Sequence, residues 1–177
     1  MPPTYTQIKD SATAFILANN PSPTFTPQIP LLRSLVSPSF TITFGHAYFI
    51  SQSPALQTAL DFDGFMAHQL KMTPLLKKWE ARVKECFVDV ERGTAVVVSE
   101  FFMTPKGKGE NAREETVLNE IVWFVEVEEG GLVGRVVEWV DGVAAGRLGE
   151  IFRGGCERGS LGWCFGYGVV GWRFVRV

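Results

Sequence analysis

The sequence predicts an α+β domain in which helices come first and an antiparallel sheet follows. Apolar residues recur at helical spacing near the N-terminus, and from Glu80 onward the hydrophobic period changes to two residues. The strands of this second part are joined by short turns, which is typical of an antiparallel meander. We therefore expect the helices to pack on one face of a curved sheet.

The N-terminal part is predicted to hold three helices and a strand. Helical spacing of apolar residues covers residues 5–19, 28–36 and 63–78. Pro74 should kink or divide the third helix, and Asp61 or Asp63 is a plausible N-cap for it. The alternating, Thr- and Phe-rich stretch Phe40–Phe49 predicts the first strand.

Four further strands are predicted, and a last helix follows them. The strands are Ala81–Val90, Thr94–Thr104, Thr116–Val127 and Leu132–Asp141. Turns are expected at Arg92-Gly93, over the polar residues 106–114 and at Gly130-Gly131. Asp141 would cap the helix Val143–Phe152.

The two strands Thr116–Val127 and Leu132–Asp141 are apolar on both faces, so both faces should be covered. One face would meet the helices and a pocket. The other would meet a second subunit, which predicts a homodimer. Alternation alone leaves open which face is which.

Composition and charge exclude several classes of protein. The net charge is −2 and no cluster of Lys and Arg runs along the chain, so we expect no nucleic-acid partner. The sequence has no window of eighteen apolar residues, so no membrane span is expected, and no secretion signal is visible. The three cysteines fit neither a zinc site nor C-x-x-C, and Cys86 is interpreted as a buried thiol. These observations favour a cytoplasmic protein without a metal.

Residues 154–177 differ in composition from the rest, being dominated by Gly, Val, Trp, Arg and Cys. We interpret residues 1–153 as the folded domain. The tail is either an extra strand or lid over the pocket, or a disordered or mis-spliced segment, and the second interpretation is favoured because translation of a GT-rich intron yields these residue types.

Five stretches of the chain resemble one family. They are Phe65-Met66-Ala67-His68, Leu75-Leu76-Lys77-Lys78-Trp79, Phe87-Val88-Asp89, Asn119-Glu120-Ile121-Val122-Trp123 and Val137-Glu138-Trp139-Val140-Asp141. Together they resemble fungal SnoaL-like proteins of the nuclear-transport-factor-2-like superfamily, over roughly residues 5–153. The resemblance implies a cone-shaped curved antiparallel sheet packed on the N-terminal helices, also described as a cystatin-like α+β barrel, with a pocket inside. It also implies a family of ketosteroid isomerases, scytalone dehydratases, polyketide cyclases and meroterpenoid isomerases, together with some members that are not enzymes.

Two histidines are candidates for acid–base chemistry, because an imidazole titrates near neutral pH. His68 lies on an apolar helical stripe with Phe65 and Met72, so it should point inward, as a pocket acid or base or as a hydrogen-bonded core histidine. His46 lies at the end of the first predicted strand. It would line the pocket mouth or be an exposed loop residue.

Three glutamates interrupt apolar strands: Glu100, Glu120 and Glu138. Burial raises the pKa of a carboxyl group, which suits a general acid or base near neutral pH. The alternative is that they face solvent or a partner with Arg135 or Arg113 as counter-ion, and this interpretation is preferred for Glu100. The question stays open for Glu120 and Glu138.

The functional hypothesis is a cofactor-independent isomerase, cyclase or dehydratase that acts on a polyketide or terpenoid intermediate, a substrate class taken from the resemblance. His68 and Glu120 or Glu138 would be acid and base, while Asn119, Trp123 and His46 would hold the substrate. The sequence contains no G-x-S-x-G, no P-loop and no dinucleotide-binding G-x-G-x-x-G after a strand. The competing hypothesis is a non-catalytic binding or scaffold module with the same fold.

Overall fold

The computed structural model describes residues 1–21, 27–51, 54–106 and 115–154, and these residues form an α+β domain. The α-helices are α1 Tyr5–Leu17, α2 Ile29–Leu35, α3 Ala47–Ser51, α4 Phe62–Met72 and α5 Gly142–Gly154. The strands are β1 Val36–Phe44, β2 Leu76–Asp89, β3 Thr94–Pro105, β4 Val117–Val127 and β5 Val133–Val140. The predicted fold class is confirmed.

The five strands form one curved sheet in the order β1-β5-β4-β3-β2. The pairs β2–β3, β3–β4 and β4–β5 are antiparallel, as the meander pattern predicts. The strand β1 pairs parallel to β5, so the sheet as a whole is mixed. This pairing joins the first strand of the chain to the last. The pattern of strands that follow one another in the sequence therefore does not predict it.

Helix α1 is the central element on the inner face of the sheet. Thr4 and Gln7 form a capping box at its start, which satisfies free N–H groups of the first turn. Four fully buried apolar residues at helical spacing then face the core: Ile8, Ala12, Phe15 and Ile16. The ring of Phe15 lies 5.7 Å from Phe40 and 6.3 Å from Trp123, so the helix packs directly on the sheet.

The predicted third helix is shorter than expected. Helix α4 ends at Met72, a 3-10 turn spans Thr73–Leu75, and β2 already begins at Leu76, five residues before the predicted start. Pro74 causes this division because proline cannot donate the hydrogen bond that would continue the helix. The N-cap is Asp61, whose Oδ1 accepts from the N–H of Gly64 at 2.8 Å.

The predicted first strand is placed too late in the sequence. Strand β1 ends at Phe44, and the segment after it turns into α3. His46 has φ +62°, a left-handed conformation that few side-chain-bearing residues adopt, and this breaks the extended chain. Gly45 lies so close to the indole of Trp139 that a Cβ there would overlap the ring.

The inner face of the sheet is covered, whereas the outer face carries exposed apolar side chains. On β4 the inward positions are buried from Val117 to Val127, while Leu118 and Phe124 point outward. Leu118, Phe124 and Trp139 are between 38% and 42% exposed.

Two other predictions concern the chain ends and cysteines. Cys86 is only partly buried, whereas Cys156, Cys164 and residues 155–177 of the predicted tail lie outside the described residues. No helix in the described part of the chain is long and apolar enough to cross a membrane.

Candidate functional site

A cavity lies between the inner face of the sheet and helices α4 and α5. It is open to solvent on one side, and about 80 Å³ of its volume is accessible to the centres of water-sized molecules. The wall is mainly apolar and aromatic, with contributions from Phe44, Phe65, Trp79, Phe101 and Trp123. A concave apolar site with a few polar groups is the usual form of a small-molecule site.

Glu138 is the only carboxylate among the described residues that line the cavity. It lies on β5 between the inward-facing Val136 and Val140, opposite Trp123 in the register of β4. No described residue forms a hydrogen bond or ion pair with its side chain. Burial therefore raises the pKa of Glu138 from 4.5 to about 8, so the carboxyl group is mostly protonated at neutral pH.

His68 enters the cavity from α4. Its ring lies 5.5 Å from that of Phe44, and Phe44 is the register partner of Glu138 on β1, so one phenyl group neighbours both titratable residues. Burial first, and then the positive charge of Lys71, lower the pKa of His68 from 6.5 to about 4. The imidazole is therefore neutral at pH 7.

Asn119 presents an amide to the cavity in a defined orientation. The backbone N–H of Asp141 donates to its Oδ1 at 3.2 Å, which identifies the oxygen and leaves Nδ2 as the other end of the amide. No described residue accepts from Nδ2. Asn119 thus offers a hydrogen-bond donor that could bind a ligand carbonyl.

Asp141 and α5 close this side of the cavity. The Asp141 carboxylate accepts from the N–H groups of Val143 at 2.8 Å and Ala144 at 3.2 Å. It is therefore the N-cap that the sequence predicts, and it starts the helix whose Leu148 and Phe152 line the cavity.

Trp123 forms a rigid part of the wall. Its Nε1 donates to Ser99 Oγ at 2.8 Å, and Ser99 Oγ donates to the carbonyl of Ile121 at 3.2 Å. Because the indole N–H is already bonded, Trp123 offers its ring, and not its polar atom, to a ligand.

A second polar group of residues joins α4 to the end of α1. Gln69 Nε2 donates to Asn19 Oδ1, and Asn19 Nδ2 donates to the carbonyl of Phe15 at 2.8 Å. Trp79 is also buried, and its Nε1 is the sole fully buried side-chain polar atom without a partner in the ranges that the structure describes.

Two of the predicted site residues lie outside the cavity. Glu120 points to the outer face of β4, where it pairs with Lys84 at 3.0 Å, and Lys84 also bridges to Glu100 at 3.2 Å. The prediction of Glu120 as a pocket acid or base is therefore wrong in position, because alternation along β4 turns inward only the odd-numbered residues. Its counter-ion is Lys84, not Arg135, which pairs with Glu126.

His46 is the second such residue. It is exposed, and its ring lies 4.7 Å from Trp139, which is on the outer face of β5. The prediction that it lines the pocket mouth is wrong, because the strand ends two residues earlier and the chain turns away at its left-handed backbone. Of the six predicted residues, the cavity brings together His68, Asn119, Trp123 and Glu138.

Sequence reasoning missed the polar residues Asn19, Gln69 and Trp79. The signal for Gln69 was present, since it continues the buried helical stripe of Phe62, Phe65 and Met66. Trp79 was missed because the second strand was predicted to begin at Ala81, two residues after it. Among the described residues no three His, Cys, Asp or Glu side chains are grouped closely enough to hold a metal ion.

No protein-family model matches the sequence, and no curated protein sequence matches it. Solved structures do match. PrhC from Penicillium brasilianum aligns with a TM-score of 0.67 and 12% identity, covering 84% of this chain and 89% of that chain. BvnE pinacolase from Penicillium brevicompactum aligns with a TM-score of 0.66 and 15% identity, covering 85% and 93%.

A third solved structure also matches. A protein described as a SnoaL-like polyketide cyclase from Jannaschia sp. CCS1 aligns with a TM-score of 0.60 and 14% identity, covering 81% of this chain and 91% of that chain. At such identities the likeness establishes the fold. The chain therefore shares the fold of these structures, as the resemblance predicts.

Proposed function

We propose that the protein is a cofactor-independent isomerase, cyclase or dehydratase that acts on a small polyketide or terpenoid carbonyl compound by acid–base chemistry. The observation that carries this proposal is Glu138, a carboxyl group in an apolar cavity with no hydrogen-bond partner or counter-ion among the described residues. A raised pKa makes its carboxylate form a stronger base than an ordinary glutamate. The names of the structurally similar proteins are consistent with chemistry of this kind.

The proposed mechanism begins with removal of a proton from a carbon next to a substrate carbonyl. The carboxylate form of Glu138, about a tenth of the molecules at pH 7, would take this proton. Negative charge would then develop on the carbonyl oxygen, where Asn119 Nδ2 can donate a hydrogen bond. Neutral His68 would hydrogen-bond the substrate, and the Trp123 ring would support a flat skeleton.

The fate of the proton distinguishes the three reactions. In an isomerisation, Glu138 returns it to a different carbon. In a cyclisation, the enolate carbon attacks a second carbonyl and the new alkoxide takes the proton. In a dehydration, a hydroxyl group two carbons from the carbonyl leaves as water with that proton.

A test of Glu138 as a base can use 5-nitrobenzisoxazole, a flat, neutral probe. A base removes its C3 proton, the N–O bond breaks, and a coloured cyanophenolate forms without any other reactant. We expect the full-length protein to accelerate this reaction with an apparent pKa near 8, since only the carboxylate form is active. Glu138→Gln should lower the rate at least 100-fold.

The matched control is Glu120→Gln, the same chemical change on the outer face of the sheet. It should leave the rate and its pH dependence unchanged, because Glu120 is paired with Lys84 away from the cavity. A wild-type rate no higher than that of Glu138→Gln would contradict the proposal. So would an equal loss of rate in both variants.

The alternative function is a non-catalytic binding module. The observation that favours it is the absence of net charge in the cavity at pH 7, where Glu138 is mostly protonated and His68 is neutral. Such a pocket suits a neutral apolar ligand. Unchanged ligand binding by a Glu138→Gln variant, in a protein that shows no proton-transfer activity, would favour this alternative.

We also propose that the chain forms a homodimer through the outer face of its sheet. The support is the row of exposed apolar side chains on strands β2, β4 and β5, formed by Phe87, Leu118, Phe124 and Trp139. Water-exposed aromatic rings in contact, such as Phe124 and Trp139 at 6.0 Å, are typical of an interface.

A further inference from the structure

Helix α4 presents four residues to the cavity at the spacing of one helix face: Phe65, His68, Gln69 and Met72. Gln69 is the amide of this face, and it is only 4% exposed. A buried amide normally has hydrogen-bond partners at both ends, because its lost hydration has to be replaced. The partners of Gln69 therefore indicate what a ligand in the cavity has to supply.

The amide of Gln69 has a fixed orientation. Asn19 Nδ2 donates to the carbonyl of Phe15 at 2.8 Å, so Asn19 Oδ1 is the atom that accepts from Gln69. Gln69 donates to this oxygen through Nε2, which leaves Oε1 as the other end of its amide. The backbone carbonyl of Gln69 accepts from Thr73 Oγ1 at 3.0 Å. Both contacts hold the residue in place without using Oε1.

Gln69 Oε1 has no hydrogen-bond donor among the described residues, yet it is not sealed off. Trp79 Nε1 is the one fully buried side-chain polar atom that lacks a partner in the described ranges, so Gln69 Oε1 retains accessible surface. Because Gln69 lines the cavity and is otherwise buried, this surface faces the cavity. The cavity wall thus has an oriented acceptor on α4, besides the oriented donor Nδ2 of Asn119 on β4.

We infer that Gln69 determines substrate specificity by accepting a hydrogen bond from a hydroxyl group of the substrate. A group that only accepts, such as a carbonyl or an ether, would leave Oε1 without a donor. A carboxylate or phosphate suits the cavity still less, because no Lys or Arg among the described residues lines it. An ammonium group would find little negative charge at pH 7, since the raised pKa of Glu138 keeps that carboxyl group mostly protonated.

This inference rests on the proposed function, because it places the hydroxyl group on the same substrate that reacts at Glu138. Gln69 and Glu138 line one cavity, Gln69 from α4 and Glu138 from β5. A polyketide or terpenoid carbonyl compound contains carbon, hydrogen and oxygen, and its strong neutral donor is a hydroxyl group. The substrate class is therefore a neutral hydroxyketone whose free hydroxyl group is bound by Gln69.

The test measures the affinity of the full-length protein at pH 6.5 for 1-tetralones with a hydroxyl group at carbon 5, 6 or 7, for their methyl ethers and for 1-tetralone. At least one hydroxyl compound should bind about tenfold more tightly than both its methyl ether and 1-tetralone, a typical effect of satisfying a buried polar group. The ether oxygen can still accept from Asn119, but the ether has no hydrogen to donate to Gln69. No preference for any hydroxyl compound, including no binding of any compound, would overturn the inference.

Gln69→Met should remove this preference, because methionine keeps the length of the side chain and lacks the amide oxygen. Gln57→Met makes the same change at an exposed position outside the cavity and should preserve the tenfold preference. A preference that survives Gln69→Met would also overturn the inference.

A measurement on the wild-type protein does not depend on the folding of a variant in which Asn19 loses its donor. With ¹³C-labelled glutamine side chains, the amide carbonyl signal of Gln69 should move downfield when the preferred hydroxyl compound binds, but not when 1-tetralone binds. The Gln57 signal is the internal control and should stay in place with either compound. A Gln69 signal that responds equally to both compounds would contradict the inference.

Failure of this inference is distinguishable from failure of the proposed function. If Glu138 is not a base, the 5-nitrobenzisoxazole reaction is lost while the hydroxyl preference and the response of Gln69 remain. If Gln69 does not bind a hydroxyl group, the preference is absent while the Glu138-dependent reaction is retained.

Discussion

At the scale of single residues, the cavity contains two titratable groups whose pKa values burial moves in opposite directions. Glu138 holds its proton above pH 7, and His68 has lost its proton well below pH 7. Both shifts have the same cause, since removal from water disfavours the charged form of either group. The stability of the protein should record these shifts independently of any substrate.

Replacing Glu138 by glutamine should stabilise the protein at alkaline pH. Because the pKa is raised from 4.5 to about 8, the folded state keeps a proton that the unfolded state has already lost. Wild-type stability therefore falls as the pH rises from about 4.5 to about 8. Glutamine has no proton to lose, so the free energy of unfolding of Glu138→Gln in urea should exceed that of the wild type by about 5 kcal/mol at pH 9.

Two comparisons test whether the effect is specific to Glu138. Glu120→Gln should change stability by less than about 1 kcal/mol, because its ion pair with Lys84 is at the surface. His68 should contribute with the opposite sign, its stabilisation being lost as the pH falls from about 6.5 through about 4. The same pH dependence in wild type and Glu138→Gln would contradict the assignment of the shift.

Ser99→Ala should destabilise the protein by about 1–3 kcal/mol, because it leaves the buried N–H of Trp123 without an acceptor. The measurement is the urea-induced unfolding of Ser99→Ala, of Trp123→Phe and of the double variant. In the Trp123→Phe background the cost of Ser99→Ala should fall to a few tenths of a kcal/mol. An undiminished cost there would show that Ser99 acts through something other than the indole.

At the scale of elements, one capped helix closes the cavity, and the turn that begins this helix also holds a polar residue of the cavity wall. Helix α5 starts at the Asp141 cap, and the same Asp141 backbone N–H fixes Asn119 on β4. The orientation of the cavity amide and the position of the covering helix therefore depend on a single turn.

Asp141→Ala should lower the free energy of unfolding by about 1 kcal/mol, since the N–H groups of Val143 and Ala144 lose their acceptor. Thermal and urea unfolding provide the measurement. Asp63→Ala is the control, because Asp63 forms only a surface ion pair with Arg33 and should cost less than about 0.5 kcal/mol. Equal costs for the two aspartates would argue against a capping role for Asp141.

At the scale of the whole molecule, the two faces of the sheet have different roles. The inner face binds α1, α4 and α5 and forms the cavity. The outer face combines the exposed apolar row with the Lys84–Glu100–Glu120 charge cluster. Exposure of these apolar side chains to water is unfavourable, and we propose that a second copy of the chain covers them.

Phe124→Glu should therefore shift the protein from dimer to monomer in sedimentation-velocity experiments. A charge placed in an apolar interface loses its hydration without gaining a partner. Leu31→Glu, on the exposed side of α2, makes the same change away from the sheet and should leave the mass unchanged. A wild-type protein that is monomeric at micromolar concentration, or a dimer that survives Phe124→Glu, would contradict the proposal.

Local patterns in the sequence predicted most elements correctly, for physical reasons that act over short range. Helix α1 follows from its apolar spacing and β4 from strict alternation, and Asp61 and Asp141 are caps because aspartate binds free N–H groups. The boundaries that failed, at residues 45–49 and 76–80, depend on the contact of Gly45 with Trp139 and on the early entry of β2 into the sheet.

The sequence by itself determined the fold class, the order of the antiparallel strands and the residues that share each strand face. Only the tertiary structure decided which face surrounds the cavity, and with it that Glu138 is a pocket carboxyl and Glu120 a surface one. The physical reason is that alternation is symmetric: it separates odd from even positions, but only the packing of α1 against one face makes that face dry. The parallel pairing of β1 with β5 and the unsatisfied N–H of Trp79 are likewise products of contacts between distant parts of the chain.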